Sequence, residues 1–341
     1  MYTETPLTAS EQKAVDSLID NLGKKMLAEG AAPNIKRDAH PKQIGLVRAE
    51  FIVESNLADH LKVGVFKDPA TYPAWIRFSH ESSTNKRDDD KDARGVAIKL
   101  VGVPGKKILE DEADAVTQDF VMVTTDIFVT KGVEEFAQLV ASVMKGKYWV
   151  LAYLLTHPRS FKNLSSSRKV IGSILDERFW SVAPYRYGDA IVKYSIQPQS
   201  DAKTPLQPDR GPRFLTDVLQ QQLDKSEYYY DFMVQFQRDP KTMPTDDLRV
   251  RWSPDEAPFH KVATLKIPRQ SFNTREQEDY GDQLSFTPWH SLPEHTPVGN
   301  INLARKQVYA ALSRFRHEKN GIARFEPTDM SVPAAPSLQS S

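Results

Sequence analysis

The hydrophobic positions fall into three regimes along the chain. Over residues 10–28 the apolar residues Val15, Leu18, Ile19 and Leu22 recur at helical spacing, which predicts a first helix with Ser10 as its cap. The period then shortens to two. Strands are predicted at 44–54, 73–80, 95–102 and 119–125, separated by loops rich in Pro, Gly and charge. Strands in series without intervening helices indicate an antiparallel sheet or barrel. The charged run 85–92 reads as a solvated hairpin loop. From 133 to 176 the period is helical again, with Phe136, Leu139, Val140 and Val143 marking two or three helices inserted between the halves of the sheet. Strands resume at 189–197, 228–237 and 260–268. A last helix is predicted over 302–320, capped by Asn302 and ended by Gly321.

These elements predict an α+β fold, an antiparallel β-barrel of about eight strands with a helical insertion and a C-terminal helix. The expected organisation is an N-terminal helix (1–30), one barrel domain (31–321, insertion at about 132–176) and a flexible tail (322–341) ending in PAAPSLQSS.

Composition narrows the chemistry. A chain of 341 residues can bury a large core and a cofactor cavity. Lys+Arg 45 against Asp+Glu 45 gives no net charge, which argues against a nucleic acid or an anionic membrane as partner. With no cysteine there is no disulfide, thiolate nucleophile, zinc–cysteine site or cysteine-ligated haem, so any metal must be held by His, Tyr, Met or carboxylates. The start of the chain lacks the basic and apolar regions of a secretory signal. The apolar run 148–155 ends at His157 and Pro158, short of the roughly 20 residues that span a bilayer. A cytoplasmic protein without membrane insertion is expected.

On the last helix, at about 100° per residue, Arg305, Tyr309 and Arg316 fall within one narrow arc beside Val308, Leu312 and Phe315. A phenol loses its proton near pH 10, so a tyrosine ligates a metal as phenolate only where positive charge stabilises the anion, and Arg305 one turn earlier would supply it. A surface tyrosine among solvated arginines gives the same pattern. Upstream, alternate residues of a strand share a face, so Trp75, Arg77 and Ser79 point the same way. Eight histidines are available for proton transfer near neutrality.

The segments RKQVYAALSRFR, DQLSFTPWHSLPEHTPVGN, RDAHPKQIGLVRAEF, YPAWIRFSHES, DARGVAIKL and YRYGDAIVKY together resemble the haem catalase family, and within it a small catalase-related haem peroxidase subgroup. The resemblance runs in islands from about Arg37 to Arg316. It implies haem b with ferric iron ligated by Tyr309, Arg305 supporting the phenolate, Arg37 and Arg77 pairing with the propionates, and Arg316 near the porphyrin, assisting Arg305 or meeting a propionate. It further implies Phe286 packed by the haem, His40 as acid–base group and Ser79 orienting it.

Family members carry a distal asparagine before the fourth strand. Here VTQDFVMVTTD places Thr117 at that position, and a hydroxyl reaches less far than an amide. The resemblance therefore implies a peroxide-decomposing oxidoreductase that favours peroxidase turnover with a small organic electron donor over dismutation. Rearrangement or cleavage of a fatty-acid hydroperoxide, and haem binding without catalysis, stay open. Full-size catalases have a longer N-terminal arm and a C-terminal helical region, so neither NADPH nor an interlocked tetramer is expected, and a homodimer is.

Overall fold

In a computed structural model that describes residues 5–82, 87–208 and 210–332, the alternating stretches form nine antiparallel strands. They are β1 (Gln43–Val53), β2 (Thr71–His80), β3 (Arg94–Val101), β4 (Thr117–Val123), β5 (Phe179–Trp180), β6 (Tyr185–Tyr187), β7 (Ala190–Pro198), β8 (Tyr228–Phe236) and β9 (Phe259–Ile267). Their order is β5-β4-β3-β2-β1-β9-β8-β7, and pairing of β5 with β7 closes an eight-stranded barrel while β6 adds outside the ring. The two-residue β5 makes the closure, through Phe179 opposite Ile196 and Trp180 opposite Ser195. Closure removes the free edges that an open sheet would present.

Alternation assigns the two faces. Phe51, Phe78, Ile98, Phe120, Tyr194 and Phe232 point inward into one apolar core, with the Phe120 and Phe232 rings edge to face at 4.8 Å. Trp75, Arg77 and Ser79 point outward, as the period of two requires. Outside the barrel lie α1 (Ala9–Glu29), α2 (Val133–Lys145), α3 (Lys147–Thr156), α4 (Pro158–Ser167), α5 (Phe214–Lys225), α6 (Arg275–Gln283) and α7 (Asn300–Asn320). Helix α1 lays Val15, Leu18 and Leu22 against a second core shared with Ala137 of α2 and Val308 and Leu312 of α7. Among the described residues, no helix is long and apolar enough to cross a membrane.

The helix ends differ from the sequence reading. Thr8, not Ser10, caps α1: its hydroxyl accepts the Glu11 N–H at 3.2 Å while the Glu11 carboxylate takes the Thr8 N–H at 2.8 Å, a reciprocal pair that satisfies two orphan donors. Ser10 donates instead to Glu134 at 2.5 Å. Helix α7 starts after Gly299, with Asn302 inside it, and ends at left-handed Gly321 (φ 66°).

Two segments, one expected to be solvated and one flexible, make buried contacts in their described parts. Of the run 85–92, residues 85 and 86 lie outside the described residues. Asp88 and Asp92 turn fully inward, Asp88 sitting 2.8 Å from His80 and 2.6 Å from Lys42. Of the expected tail, 333–341 lie outside the described residues, whereas Phe325 stacks on Tyr280 at 5.8 Å and Glu326 reaches Lys99 at 2.7 Å. A buried lysine needs a counter-charge, and the chain supplies part of it from this segment.

Candidate functional site

A cavity of about 400 Å3 lies against the outer face of β2, β3 and β4, under α1 and α7. That volume is in the range of small-molecule sites. His40, Arg37, Arg77, Ser79, Phe286, Arg305, Tyr309 and Arg316 all line it. Residues more than 260 positions apart in sequence thus face one space.

His40 sits in the loop between α1 and β1 with left-handed backbone (φ 55°), a conformation that costs a non-glycine residue energy and persists where surroundings fix it. Its N–H donates to the Glu81 carbonyl at 3.1 Å and its carbonyl accepts from Arg77 Nη1 at 2.9 Å. The ring is held on one side. Nδ1 lies 3.2 Å from Ser79 Oγ, and Ser79 Oγ is 3.5 Å from the Gly95 carbonyl it can donate to. When Ser79 donates to that carbonyl, its oxygen accepts from a protonated Nδ1 and Nε2 is left free as a base. Burial, followed by the charge of Arg77, pushes the His40 pKa down to about 4, so the imidazole is neutral at physiological pH.

Gly95 is part of this site and was missed in the sequence, although DARGVAIKL contains it. A Cβ there would overlap Nδ1 and Cε1 of His40 and stand 3.1 Å from Ser79 Oγ. A glycine inside a strand marks such a close approach. Ser79, Gly95 and Val123 are cross-strand partners in one row, so their side chains share a face, and Val123 lines the same cavity as His40.

Thr117 is not at the site. It pairs with Val101 at the far end of β4, six residues and roughly 20 Å from Val123 at the usual rise per residue. Its hydroxyl donates to Glu326 at 2.8 Å. The strand instead offers Val121, Met122 and Val123 to the cavity, and no Asn or Gln among the described residues lines it. The mismatch follows from counting back from Asp126: spacing along a strand gives a residue number, whereas strand pairing sets which residue lies opposite His40.

On α7, Arg305 Nη2 donates toward the Tyr309 hydroxyl at 3.4 Å and Nη1 to Asn302 Oδ1 at 3.0 Å. Asn302 is anchored by its amide to the Pro184 and Val298 carbonyls, both 2.9 Å. Burial works against the Arg305 charge, yet Tyr309 and Tyr185 on either side raise its pKa. The cation is fixed beside the phenol.

Arg316, on the same arc, reaches elsewhere. With Arg37 it donates to backbone carbonyls of residues 281–284, Arg37 Nη2 reaching Leu284 at 2.8 Å and Arg316 Nη2 the same carbonyl at 3.3 Å. Arg77 stands 3.7 Å from Asp282. Burial lowers Arg37, and burial together with the charge of neighbouring guanidinium groups lowers Arg77 and pushes Arg316 down to about 9. Three guanidinium groups thus face two carboxylates, Asp38 and Asp282, and Asp282 also binds Lys36. The rim carries surplus positive charge. Phe286 completes the wall, its ring 5.9 Å from the Arg37 guanidinium, whereas Trp75, on the same face as Arg77, is covered by Tyr280 at 5.5 Å.

Behind Phe286, Glu112, His290 and Glu326 bring ligand atoms within 4.8 Å of one another. Lys99 already lies 2.7 Å from both Asp119 and Glu326, and Arg324 2.8 Å from Glu112. Burial and Lys99 oppose a charge on His290, but hydrogen bonds to Asp119, Glu112 and Glu326 push it up to about 10. Three cations face three carboxylates, so the cluster is an ion network that fastens the segment after α7 to the barrel.

No sequence-family model and no curated protein matches the chain. Among solved structures it is similar to a fungal catalase at a TM-score of 0.66 and 16% identity, covering 93% of this chain and 65% of that one. It is also similar to a bacterial catalase at a TM-score of 0.66 and 13% identity, covering 98% and 67%. The chain spans about two thirds of the length of these proteins. At such identity the likeness establishes a shared catalase-like fold.

Proposed function

We propose that this chain binds haem b in the outer cavity through Tyr309 and is a cytoplasmic peroxide-decomposing enzyme of the small catalase-related kind, favouring peroxidase over catalase turnover. The observation that carries the reading is the convergence of His40 and the Arg305–Tyr309 pair on one cavity beside which three guanidinium groups, Arg37, Arg77 and Arg316, gather. The donor set fits the group. Apolar walls from Val123, Ala304, Val308, Leu312 and Phe286 suit a flat macrocycle, the guanidinium rim suits two propionates, and Arg305 balances the charge of a tyrosinate ligand. When bound, ferric haem supplies the redox equivalents, and tyrosinate ligation is the mode of catalases.

The residues of the chain handle protons and position. Neutral His40 accepts a peroxide proton at Nε2 and returns it to the departing oxygen, while Ser79 and the pinned His40 backbone hold the ring in place. Dismutation also needs a donor fixed near 3 Å from the second peroxide. Valine at 121 and 123 offers none, so oxidation of an organic donor at the cofactor edge suffers less.

The test is haem reconstitution of the purified protein and of Tyr309→Phe, with spectra before and after one equivalent of peroxide. The parent should bind haem and change spectrum on peroxide addition, and the variant should lose occupancy or show shifted ligand-field bands. Identical occupancy and spectra would remove Tyr309 from the ligand position. Leu18, Leu22, Phe128 and Phe136 make the cavity apolar, which favours a second reading with fatty-acid hydroperoxides as substrates. Product formation without an added electron donor identifies that chemistry.

A further inference from the structure

Seven of the nine large hydrophobic residues that the described chain exposes lie between 143 and 161, on the helical insert. Tyr148 and Leu155 are 75% exposed, Trp149 and Leu151 57%, and Phe161 56%. Helix α3, KYWVLAYLLT, is apolar on all sides yet buries only Tyr153. At 100° per residue Tyr148, Leu151, Ala152 and Leu155 form one outward stripe opposite Tyr153. Five such side chains present on the order of 500 Å2, toward the upper end of the largest apolar patch that a monomer's surface leaves to water, a patch that is often functional.

The charge around the stripe has one sign. From 136 to 175 the sequence has six Lys or Arg (145, 147, 159, 162, 168, 169) and no Asp or Glu. Lys169 pairs with Glu177 at 2.5 Å. Lys145, Lys147, Arg159 and Lys162 have no acidic partner within 4.0 Å among the described residues. Two of them lie over the exposed rings instead, Lys145 4.9 Å from the Trp149 ring and Lys147 5.2 Å from that of Tyr148. Aromatic residues with flanking lysines beside an exposed aliphatic stripe are the composition of a membrane–water interface, where amphipathic rings sit at headgroup level.

We infer that the α2–α4 insert is a docking surface for an anionic lipid bilayer, with α3 lying in the interface and its lysines on the headgroup phosphates. A second copy of the chain fits poorly, because it would set one uncompensated basic patch against another. Nucleic acid accounts for the lysines but not for Leu151, Leu155 and Val143. The same insert supplies Phe136 and Ser167 to the cavity wall, so docking would hold the cavity close to the lipid phase.

The experiment is cosedimentation of the full chain with vesicles of phosphatidylcholine alone and of phosphatidylcholine with phosphatidylglycerol. It reads sedimentation rather than turnover, so it succeeds or fails independently of the haem assignment. Binding should require the anionic lipid and weaken with added salt. The double variant Lys145→Ala with Lys147→Ala should weaken it about 30-fold at the usual worth of a juxtamembrane lysine. The double variant Trp149→Ser with Leu155→Ser should weaken it at least about tenfold with every charge retained. All four positions are exposed, and unchanged circular dichroism confirms folded variants. The inference is overturned if the parent fails to sediment with anionic vesicles, or if neither double variant alters binding. It is equally overturned if the chain forms dimers that Trp149→Ser with Leu155→Ser abolishes, or if it binds duplex RNA as tightly as vesicles.

Discussion

Replacing Gly95 with alanine tests the proton-transfer site without touching any residue expected to hold the cofactor. The new methyl would lie within 3 Å of the His40 ring, whereas apolar contacts rest at about 3.5–4.0 Å. The ring must therefore retreat by on the order of 1 Å. Its backbone cannot follow, being held by Glu81 and Arg77 in the left-handed conformation. The movement falls on the side-chain torsions and breaks the 3.2 Å bond to Ser79. A displacement of that size costs about 10²-fold in rate, or about 2.7 kcal/mol of barrier, and crowding of the strand lowers stability by about 1–3 kcal/mol. Stopped-flow mixing with peroxide at equal haem occupancy measures the first and denaturant titration the second. The haem spectrum before peroxide should match the parent, because the α7 side of the cavity is unchanged. Rates that overlay those of the parent would show that His40, as placed by Ser79 and Gly95, does not govern the reaction.

Val123→Asn should raise oxygen evolution relative to donor oxidation, since it puts an amide in the row that holds Ser79 and Gly95, while Thr117→Asn should leave the ratio unchanged; the opposite result would restore Thr117 to the site. Because His40 is held near pKa 4 rather than its ordinary 6.5, its neutral form persists as pH falls, and the rate of reaction with peroxide should stay level from pH 7 to about 5 before dropping; a midpoint near 6.5 would contradict the burial argument. The raised pKa of His290 has the opposite sign. Its stabilisation is complete below the ordinary value of 6.5 and is lost as pH rises through about 10. The unfolding free energy of the parent, measured relative to His290→Gln, should fall by on the order of a few kcal/mol between pH 6 and 10, and parallel pH curves for the two proteins would dissolve the network argument.

The order of helix and strand was legible because burial imprints its period on the chain: residues 230, 232 and 234 are buried in β8 as alternation requires, and Val15, Leu18 and Leu22 in α1 as a 3.6 period requires. The Arg305–Tyr309 pair was legible for the same reason, since four positions on a helix are neighbours whatever surrounds them. Barrel closure was not. It rests on Phe179 and Trp180, a strand too short to carry a period, and β6 was equally hidden. The polar α6, REQEDYGDQ, has too few apolar positions to announce itself.

Local chemistry read from the sequence failed where the partner is distant. Thr117 was placed by counting back from Asp126 but donates to Glu326, because cross-strand register, not spacing along β4, decides which residue joins the row of Ser79 and Gly95. Gly95 looked like an ordinary strand glycine until a histidine 55 residues earlier lay against it. The zero net charge is a sum over the chain and does not show that residues 136–175 carry six basic residues and no acidic one. The sequence determined the periods, the helical neighbours and the stock of ionisable groups, all of which depend on residues a few positions apart. Only the tertiary structure decided which groups meet, because burial, register and the field at a site are sums over residues that the chain brings together from its full length.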